Sequence, residues 1–301
     1  MDFSKNNDLD KILQQLFVPY MERVPDVKKI VNAMIDEDII SETNDIVNDH
    51  IAFRTMGVNN LGIQSFEKIF LHYGYTKKNY YFFEKKKLDA YWYAPPTPEY
   101  PRVFISELRV KDLSESTQTI IKKYTDTVNT DPVDLLNLDD PDLVGSFFHK
   151  PLWSLPSAKD YKDLMKESEY AAWVIYNRYY LNHYTISVHE LKDGYNNIEA
   201  FNQFLEKIGI QLNDAGGKIK TSKDGLLKQS STVAKMIEAT FSDQSTLAIS
   251  GSYVEFAERK VLSEFKGLSK NEIQPKHRRE GFEAANADKI FESTYTKQTK
   301  K

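Results

Sequence analysis

The sequence predicts an α+β chain in which one order of elements, strand–helix–strand–strand–strand, occurs twice. Three observations carry the prediction. Residues 48–55 and 182–189 alternate apolar and polar side chains with a period of two, as half-buried strands do, and each sets a histidine on its polar face. Each of these runs is followed by a segment of helical periodicity. Each half then closes on another alternating run that carries a glutamate: Glu107 within 102–110 and Glu255 within 251–259. No residue-by-residue similarity accompanies the duplication, so the repeat is one of element order.

Taken in order, residues 8–22 and 25–36 read as two helices. Leu9, Ile12, Leu13, Leu16 and Phe17 form one apolar stripe, and Val27, Ile30, Val31, Met34 and Ile35 the other. Pro25 opens the second helix, where a missing N–H costs nothing. The first histidine strand has Ile51, Phe53 and Thr55 on one face and His50, Ala52 and Arg54 on the other. A helix over 62–72 follows, with Ile63, Phe66, Ile69 and Phe70 as its stripe and Gly74 as its stop. Aromatic-rich runs at 78–84 and 88–94 flank Lys85, Lys86 and Lys87 as a hairpin, and Pro95, Pro96, Pro98 and Pro101 stiffen the loop into the strand at 102–110. Residues 113–127 read as a helix leading to a polar loop, and 158–180 as one long helix. The second histidine strand spans 182–190, with Tyr184, Ile186 and Val188 opposite His183, Thr185, Ser187 and His189. A helix at 197–208, two β-like runs within 226–241 and the strand at 251–259 complete the second half. The polar segment 265–296 packs back through Phe282, Ile290 and Phe291, and 297–301 frays.

Composition bounds the function. The chain has 301 residues, 41% hydrophobic and 13% aromatic, enough for a sizeable core. Its net charge of −4, without a basic arm or Arg-rich helix, argues against nucleic-acid partners. With no cysteine, disulfides, thiolate metal sites and cysteine nucleophiles are excluded. No apolar run approaches the ~20 residues of a membrane span, and the polar opening residues carry no secretory signal. The expectation is a cytoplasmic protein with no membrane partner. It is one catalytic domain over 1–301: N-terminal helices at 8–36, a first module at 48–112, an insertion at 113–180, a second module at 181–262, and a C-terminal segment at 263–301.

Two histidines and one carboxylate on separate strands are the donor set of a mononuclear non-haem iron site. Imidazole and carboxylate are borderline-to-hard ligands, and three of them on one face leave positions open for a chelating substrate and dioxygen. A polar strand face can equally be a solvated one, so residue types alone leave both readings open.

The duplicated order resembles the vicinal oxygen chelate superfamily. Four stretches bring the resemblance closer: Asp49-His50-Ile51-Ala52-Phe53-Arg54-Thr55, Asn182-His183-Tyr184-Thr185, Ser252-Tyr253-Val254-Glu255-Phe256-Ala257-Glu258-Arg259, and Arg279-Glu280-Gly281-Phe282 running on to Asn286-Ala287-Asp288-Lys289-Ile290-Phe291-Glu292. They are similar, in the same order, to the 2-oxoadipate dioxygenase/decarboxylase family. The resemblance implies two modules curling a mixed sheet around a metal site, with added helices. It also implies an Fe(II) enzyme of lysine breakdown that converts 2-oxoadipate, a small 2-oxo dicarboxylic acid, and O2 to D-2-hydroxyglutarate and CO2.

Carried over by residue, it implies His50, His183 and Glu255 as metal ligands and Arg54 as the partner of a substrate carboxylate. Arg54 shares a strand face with His50, and a fixed guanidinium can grip a carboxylate through two parallel bonds. Glu107, which the repeat nominates as a fourth ligand, is expected beside the ligands or in a structural role, because four protein ligands would leave no position for O2. His189 lies roughly 20 Å along an extended strand from His183, too far for the same ion. His72 and His149 have no partner pattern. His277, Arg278 and Arg279 are candidates for bringing positive charge over the site to the distal carboxylate, or are a solvated turn. Two other readings remain: a zinc, nickel or manganese isomerase or lyase of glyoxalase type, which a liganding Glu107 would favour, and a non-catalytic small-acid binding protein.

Overall fold

A computed structural model of the chain describes residues 7–301; part of the polar N-terminal stretch, residues 1–6, lies outside it. Two N-terminal helices, α1 (Asp8–Arg23) and α2 (Pro25–Asp36), lead to β1 (Asn48–Met56), α3 (Ile63–His72), β2 (Thr76–Phe83), β3 (Leu88–Ala94) and β4 (Arg102–Leu108). Four helices then intervene: α4 (Glu115–Thr125), α5 (Pro141–Phe147), α6 (Ala158–Glu167) and α7 (Glu169–Asn177). The second half is β5 (His183–Ser187), α8 (Ile198–Lys207), β6 (Lys220–Thr221), β7 (Leu227–Ser231), β8 (Met236–Thr240), β9 (Thr246–Ser250) and β10 (Tyr253–Arg259), followed by α9 (Ala284–Ile290) and α10 (Thr296–Thr299).

Eight strands form one mixed sheet in the order β2-β3-β4-β1-β5-β10-β7-β6, while β8 and β9 pair as a separate hairpin. The sheet has two matching halves. β1 runs parallel to β4 and β5 parallel to β10, and the halves join where β1 and β5 pair antiparallel around Ile51 and Tyr184. The βαβββ order is therefore present twice, with the β8–β9 hairpin inserted into the second copy and β6 reduced to two residues.

Register decides what meets. Phe104, Ala52, His183 and Tyr253 lie in one row across β4, β1, β5 and β10; Arg102, His50, Thr185 and Glu255 form the adjacent row. Because side chains alternate along a strand, all eight project from the same face. α1 covers the other face, where Phe17 and Tyr20 pack edge-on against Tyr184 with ring centroids 5.9 and 5.6 Å apart.

The C-terminal segment crosses the histidine-bearing face. Phe282 and Phe291 pack against Phe104 and Phe83, at 5.0 and 5.2 Å between ring centroids. Lys86, at the β2–β3 turn, pairs with Asp288 at 3.1 Å and Glu292 at 3.2 Å and holds the segment down.

Four local expectations change, and one is the tail read as fraying at 297–301, where α10 forms and buries Gln298. The long helix at 158–180 is two helices, because Ser168 is extended and its side chain accepts from the Ala171 amide, starting a new helix at Glu169. The strand at 182–190 ends at Ser187, and Val188–Glu190 turns as a 3₁₀ helix that takes His189 off the strand. The short helix α5 sits in the segment read as a loop, started by Asp140, whose side chain accepts from the amides of Asp142 and Leu143.

Candidate metal centre

Beside the join between the two halves, His50, His183 and Glu255 converge. His183 Nε2 lies 3.0 Å from Glu255 Oε2, His50 Nε2 lies 3.5 Å from Glu255 Oε1, and the two Nε2 atoms are 3.4 Å apart. A metal roughly 2.1 Å from each of three N/O donors spaces neighbouring donors by about 3.0 Å in an octahedron and about 3.4 Å in a tetrahedron, so the cluster is already at ligand spacing. All three side chains are buried, at 2%, 6% and 1% exposure. Three lone-pair-bearing groups buried this close together favour a cation or proton between them, and the Thr185 hydroxyl lies 3.1 Å from His50 Nε2.

The rings are oriented from behind. His50 Nδ1 lies 2.8 Å from Asp49 Oδ1 and His183 Nδ1 lies 3.1 Å from Asn182 Oδ1. In each case the residue just before the histidine supplies the acceptor, which leaves Nε2 for the centre. The β1–β5 register shifts between Asn48 and His50, so that Asp49 is an extra residue on β1. Asp49 is in turn gripped by Arg259, Nε to Oδ2 at 2.6 Å and a second guanidinium nitrogen to Oδ1 at 2.9 Å, with both residues 1% exposed. On the other flank Gln229 Nε2 donates to Glu255 Oε1 at 2.6 Å, and Asn286 donates to Gln229 Oε1 at 3.0 Å. Burial pushes the Glu255 carboxyl up, but His50 and His183 outweigh it and hold it down at about 2. Burial lowers His183; at His50 burial is overcome by Glu255 and Asp49, which raise it.

A narrow cavity opens beside the cluster. Its walls include Arg54, Ser106, Asn182 and Tyr253 on the polar side and Ala52, Phe104, Phe282, Ala287, Ile290 and Phe291 on the apolar side. Arg54 is 1% exposed and stacks near Tyr170 and Trp173, each 5.1 Å from ring centroid to guanidinium carbon. It donates to Thr294 Oγ1 at 2.9 Å and to the Phe291 carbonyl at 3.1 Å. Among the described residues its Nε has no partner, and no carboxylate pairs with its guanidinium.

Several sequence expectations are corrected. Glu107 is not beside the ligands. It pairs in register with Thr55, so its side chain projects from the opposite face, and its Oε2 accepts from the Ile63 amide at 2.7 Å, capping α3. Its counterpart in the second half is Glu258, which caps α8 through the Ile198 amide at 2.9 Å. The counterpart of Glu255 is Phe104, since each pairs one residue beyond the join. The first half therefore has an apolar ring where a fourth ligand would stand, and only the structural expectation for Glu107 holds.

His277, Arg278 and Arg279 do not line the cavity. His277 stacks on Phe265 at 4.5 Å, Arg278 donates to the Arg259 carbonyl at 2.9 Å, and Arg279 Nε faces Asp224 at 3.3 Å. They sit outside the rim because the chain turns at Gly281, and the residue that enters is Phe282, whose ring meets His50 edge-on at 4.8 Å. His189 is apart from the cluster, as expected, but for a different reason: it sits on the turn after β5 and its Nδ1 accepts from the Arg259 amide at 3.2 Å. His72 faces exposed Asp139, and His149 Nε2 lies 3.1 Å from the Gln15 carbonyl; neither joins the site. Gln229, Asn286 and the Asp49–Arg259 pair were not anticipated. The available signal was parity, because Arg259 shares a strand face with Glu255.

A profile of the 2-oxoadipate dioxygenase/decarboxylase family matches residues 12–272. The chloroplastic 2-oxoadipate dioxygenase/decarboxylase of Arabidopsis thaliana is 43% identical over 298 residues, spanning 95% of this chain and 77% of that protein. The chain belongs to this family. The crystal structure of the Oryza sativa hydroxyglutarate synthase in complex with 2-oxoadipate superposes with a TM-score of 0.87 at 41% identity, over 95% of this chain and 92% of the other. A glyoxalase-superfamily structure from Ralstonia eutropha, TM-score 0.67 at 20% identity over 92% of this chain and 87% of the other, shares the fold. As a member of a dioxygenase/decarboxylase family the chain is an enzyme, and its His50, His183 and Glu255 group could hold the metal such chemistry uses. Among the described residues no helix is long and apolar enough to cross a membrane.

Proposed function

We propose that the chain is an Fe(II)-dependent enzyme that converts 2-oxoadipate and O2 to D-2-hydroxyglutarate and CO2, a step of lysine breakdown. The observation that carries this reading is Arg54. Among the described residues this buried guanidinium has no carboxylate partner, which is costly, and it lines the same cavity as a triad at metal spacing. A ligand that brings both a chelating 2-oxo acid group and a second carboxylate meets both needs. The Oryza relative, crystallised with 2-oxoadipate, supports the choice of acid.

His50, His183 and Glu255 would hold the ion, which when bound supplies the activation of O2. The chain's own residues do the rest. Asp49 and Asn182 fix the two imidazoles, and Gln229 holds the Glu255 carboxylate. Arg54 takes a carboxylate and sets the acid along the cavity. Phe104, Phe282 and Phe291 exclude water around the methylene chain, which strengthens each polar contact. In the overall reaction the bond between the keto carbon and its carboxylate breaks, and that carboxylate leaves as CO2. One oxygen atom of O2 completes the new carboxylate and the other becomes the hydroxyl, so no second 2-oxo acid is consumed.

The test is anaerobic Fe(II) loading followed by 2-oxoadipate and O2, with CO2 and the hydroxy acid measured together. Equimolar production of both is expected. Turnover without O2, or with zinc in place of iron, would instead favour an isomerase or lyase. A cytoplasmic location is part of this proposal; the Arabidopsis relative is named chloroplastic, and fractionation of the native cells decides.

A further inference from the structure

We propose that Tyr253 is a substrate-contact residue whose hydroxyl donates to the same carboxylate that Arg54 holds, so that the pair sets the affinity for the acid. This rests on the reading of the cavity as a 2-oxo acid site. Tyr253 opens β10 two residues before Glu255 and on the same face. It is fully buried, and its ring lies against His183 at 4.7 Å and 32°, which fixes the ring and leaves only the hydroxyl hydrogen free to turn.

That hydroxyl makes no well-formed hydrogen bond among the described residues, and the Arg54 guanidinium lies close beside it, so its own hydrogen is left without an acceptor. An orphaned buried polar group costs about 1–3 kcal/mol, so one in a native core calls for an explanation. Here it is not isolated. Among the same residues Arg54 Nε and Asn182 Nδ2 are also without partners, and all three side chains border the one cavity. Three donors left idle around a single space are what a ligand rich in oxygen acceptors would satisfy. A phenol hydroxyl is protonated at neutral pH and so can donate.

The fold supplies a control. Tyr184 is also buried with a hydroxyl unpartnered among the described residues, yet it projects from the opposite face, against Phe17 and Tyr20, and borders no part of this cavity. If idle hydroxyls were merely tolerated in this core, the two tyrosines would behave alike.

The experiment compares Tyr253→Phe with Tyr184→Phe in the full chain. It measures calorimetric binding of 2-oxoadipate to the metal-loaded protein without oxygen, Fe(II) affinity, thermal midpoint of the metal-free protein, and kcat and KM with oxygen. Loss of a hydrogen bond to a charged group predicts about a 10- to 100-fold weaker binding of 2-oxoadipate in Tyr253→Phe. Fe(II) affinity should change less than about twofold, since phenylalanine keeps the ring that lies against His183, and the thermal midpoint should hold or rise, since an orphan hydroxyl is removed. Tyr184→Phe should leave acid binding and turnover as they were. Unchanged binding in Tyr253→Phe overturns the inference, as does a loss matched by Tyr184→Phe or explained by lost Fe(II) affinity. If the wild-type chain binds the acid but does not turn it over with O2, the proposed activity fails while the binding comparison still judges Tyr253. If it binds no 2-oxo acid, both fall.

Discussion

Arg259 and Asp49, 210 residues apart in sequence, form a fully buried two-pronged ion pair directly behind His50. Arg259 also donates to the carbonyls of Arg279 and Gly281, at 3.0 and 2.7 Å, and so ties the segment carrying Phe282 to the strand carrying Glu255. Arg259→Met leaves the buried Asp49 carboxylate with His50 Nδ1 at 2.8 Å and Arg102 at 3.6 Å as its remaining partners. Breaking one side of such a pair costs about 3–5 kcal/mol of stability. Loss of the oriented acceptor behind a metal-binding histidine lowers metal affinity about 10- to 100-fold. Denaturant unfolding and metal titration of Arg259→Met and of the Asp49→Asn, Arg259→Met double variant check this. The double variant should recover stability, because a neutral amide behind His50 would stand as the Asn182 side chain already does behind His183.

Glu107 and Glu258 should behave as a matched pair of helix caps. Glu107→Ala is expected to cost about 0.5–2 kcal/mol, the usual loss when a side chain stops accepting from a helix's first amides. Fe(II) affinity should stay at the wild-type value. A large drop in affinity for Glu107→Ala would place that carboxylate at the centre after all.

Arg54→Lys keeps the positive charge and removes the planar fork. A point charge cannot take a carboxylate through two parallel bonds, so KM for 2-oxoadipate should rise about tenfold or more while Fe(II) affinity holds. Steady-state kinetics beside a metal titration separate the two.

His189 should set part of the acid limb of stability. Burial, then Arg278 beside it, pushes its imidazole from the ordinary 6.5 down to about 3. Between these values the unfolded chain binds a proton that the folded chain refuses. Stability is therefore complete above about pH 6.5 and falls as pH drops, by up to about 1.4 kcal/mol per pH unit for this one group. Urea unfolding at pH 7 and pH 5 should show a smaller difference for His189→Gln than for the parent. An equal difference in the two proteins would show that His189 does not contribute.

Much of the layout was legible along the chain because a period of two is a local property. It marked both histidine strands, put Arg54 on the face of His50, and located Glu255. The breaks were less legible. Ser168 ends one helix by capping the next, and the 3₁₀ turn at Val188 removes His189 from its strand; both turn on single side-chain or backbone choices that periodicity does not resolve.

By itself the sequence determined the strand faces, the helix stripes, the absence of thiol chemistry and the donor types of the site. The family resemblance named Glu255, and the tertiary structure gives the physical reason that it joins the histidines and Glu107 does not. Glu107 and Glu255 are each on a strand that closes its half, and composition treats them alike. Pairing register shifts the choice by one residue of parity, and in a pleated sheet one residue is the difference between the two faces. The same holds for Asp49 and Arg259, Gln229 and Asn286, and Phe282: their roles come from contacts between distant segments, which a one-dimensional pattern does not contain.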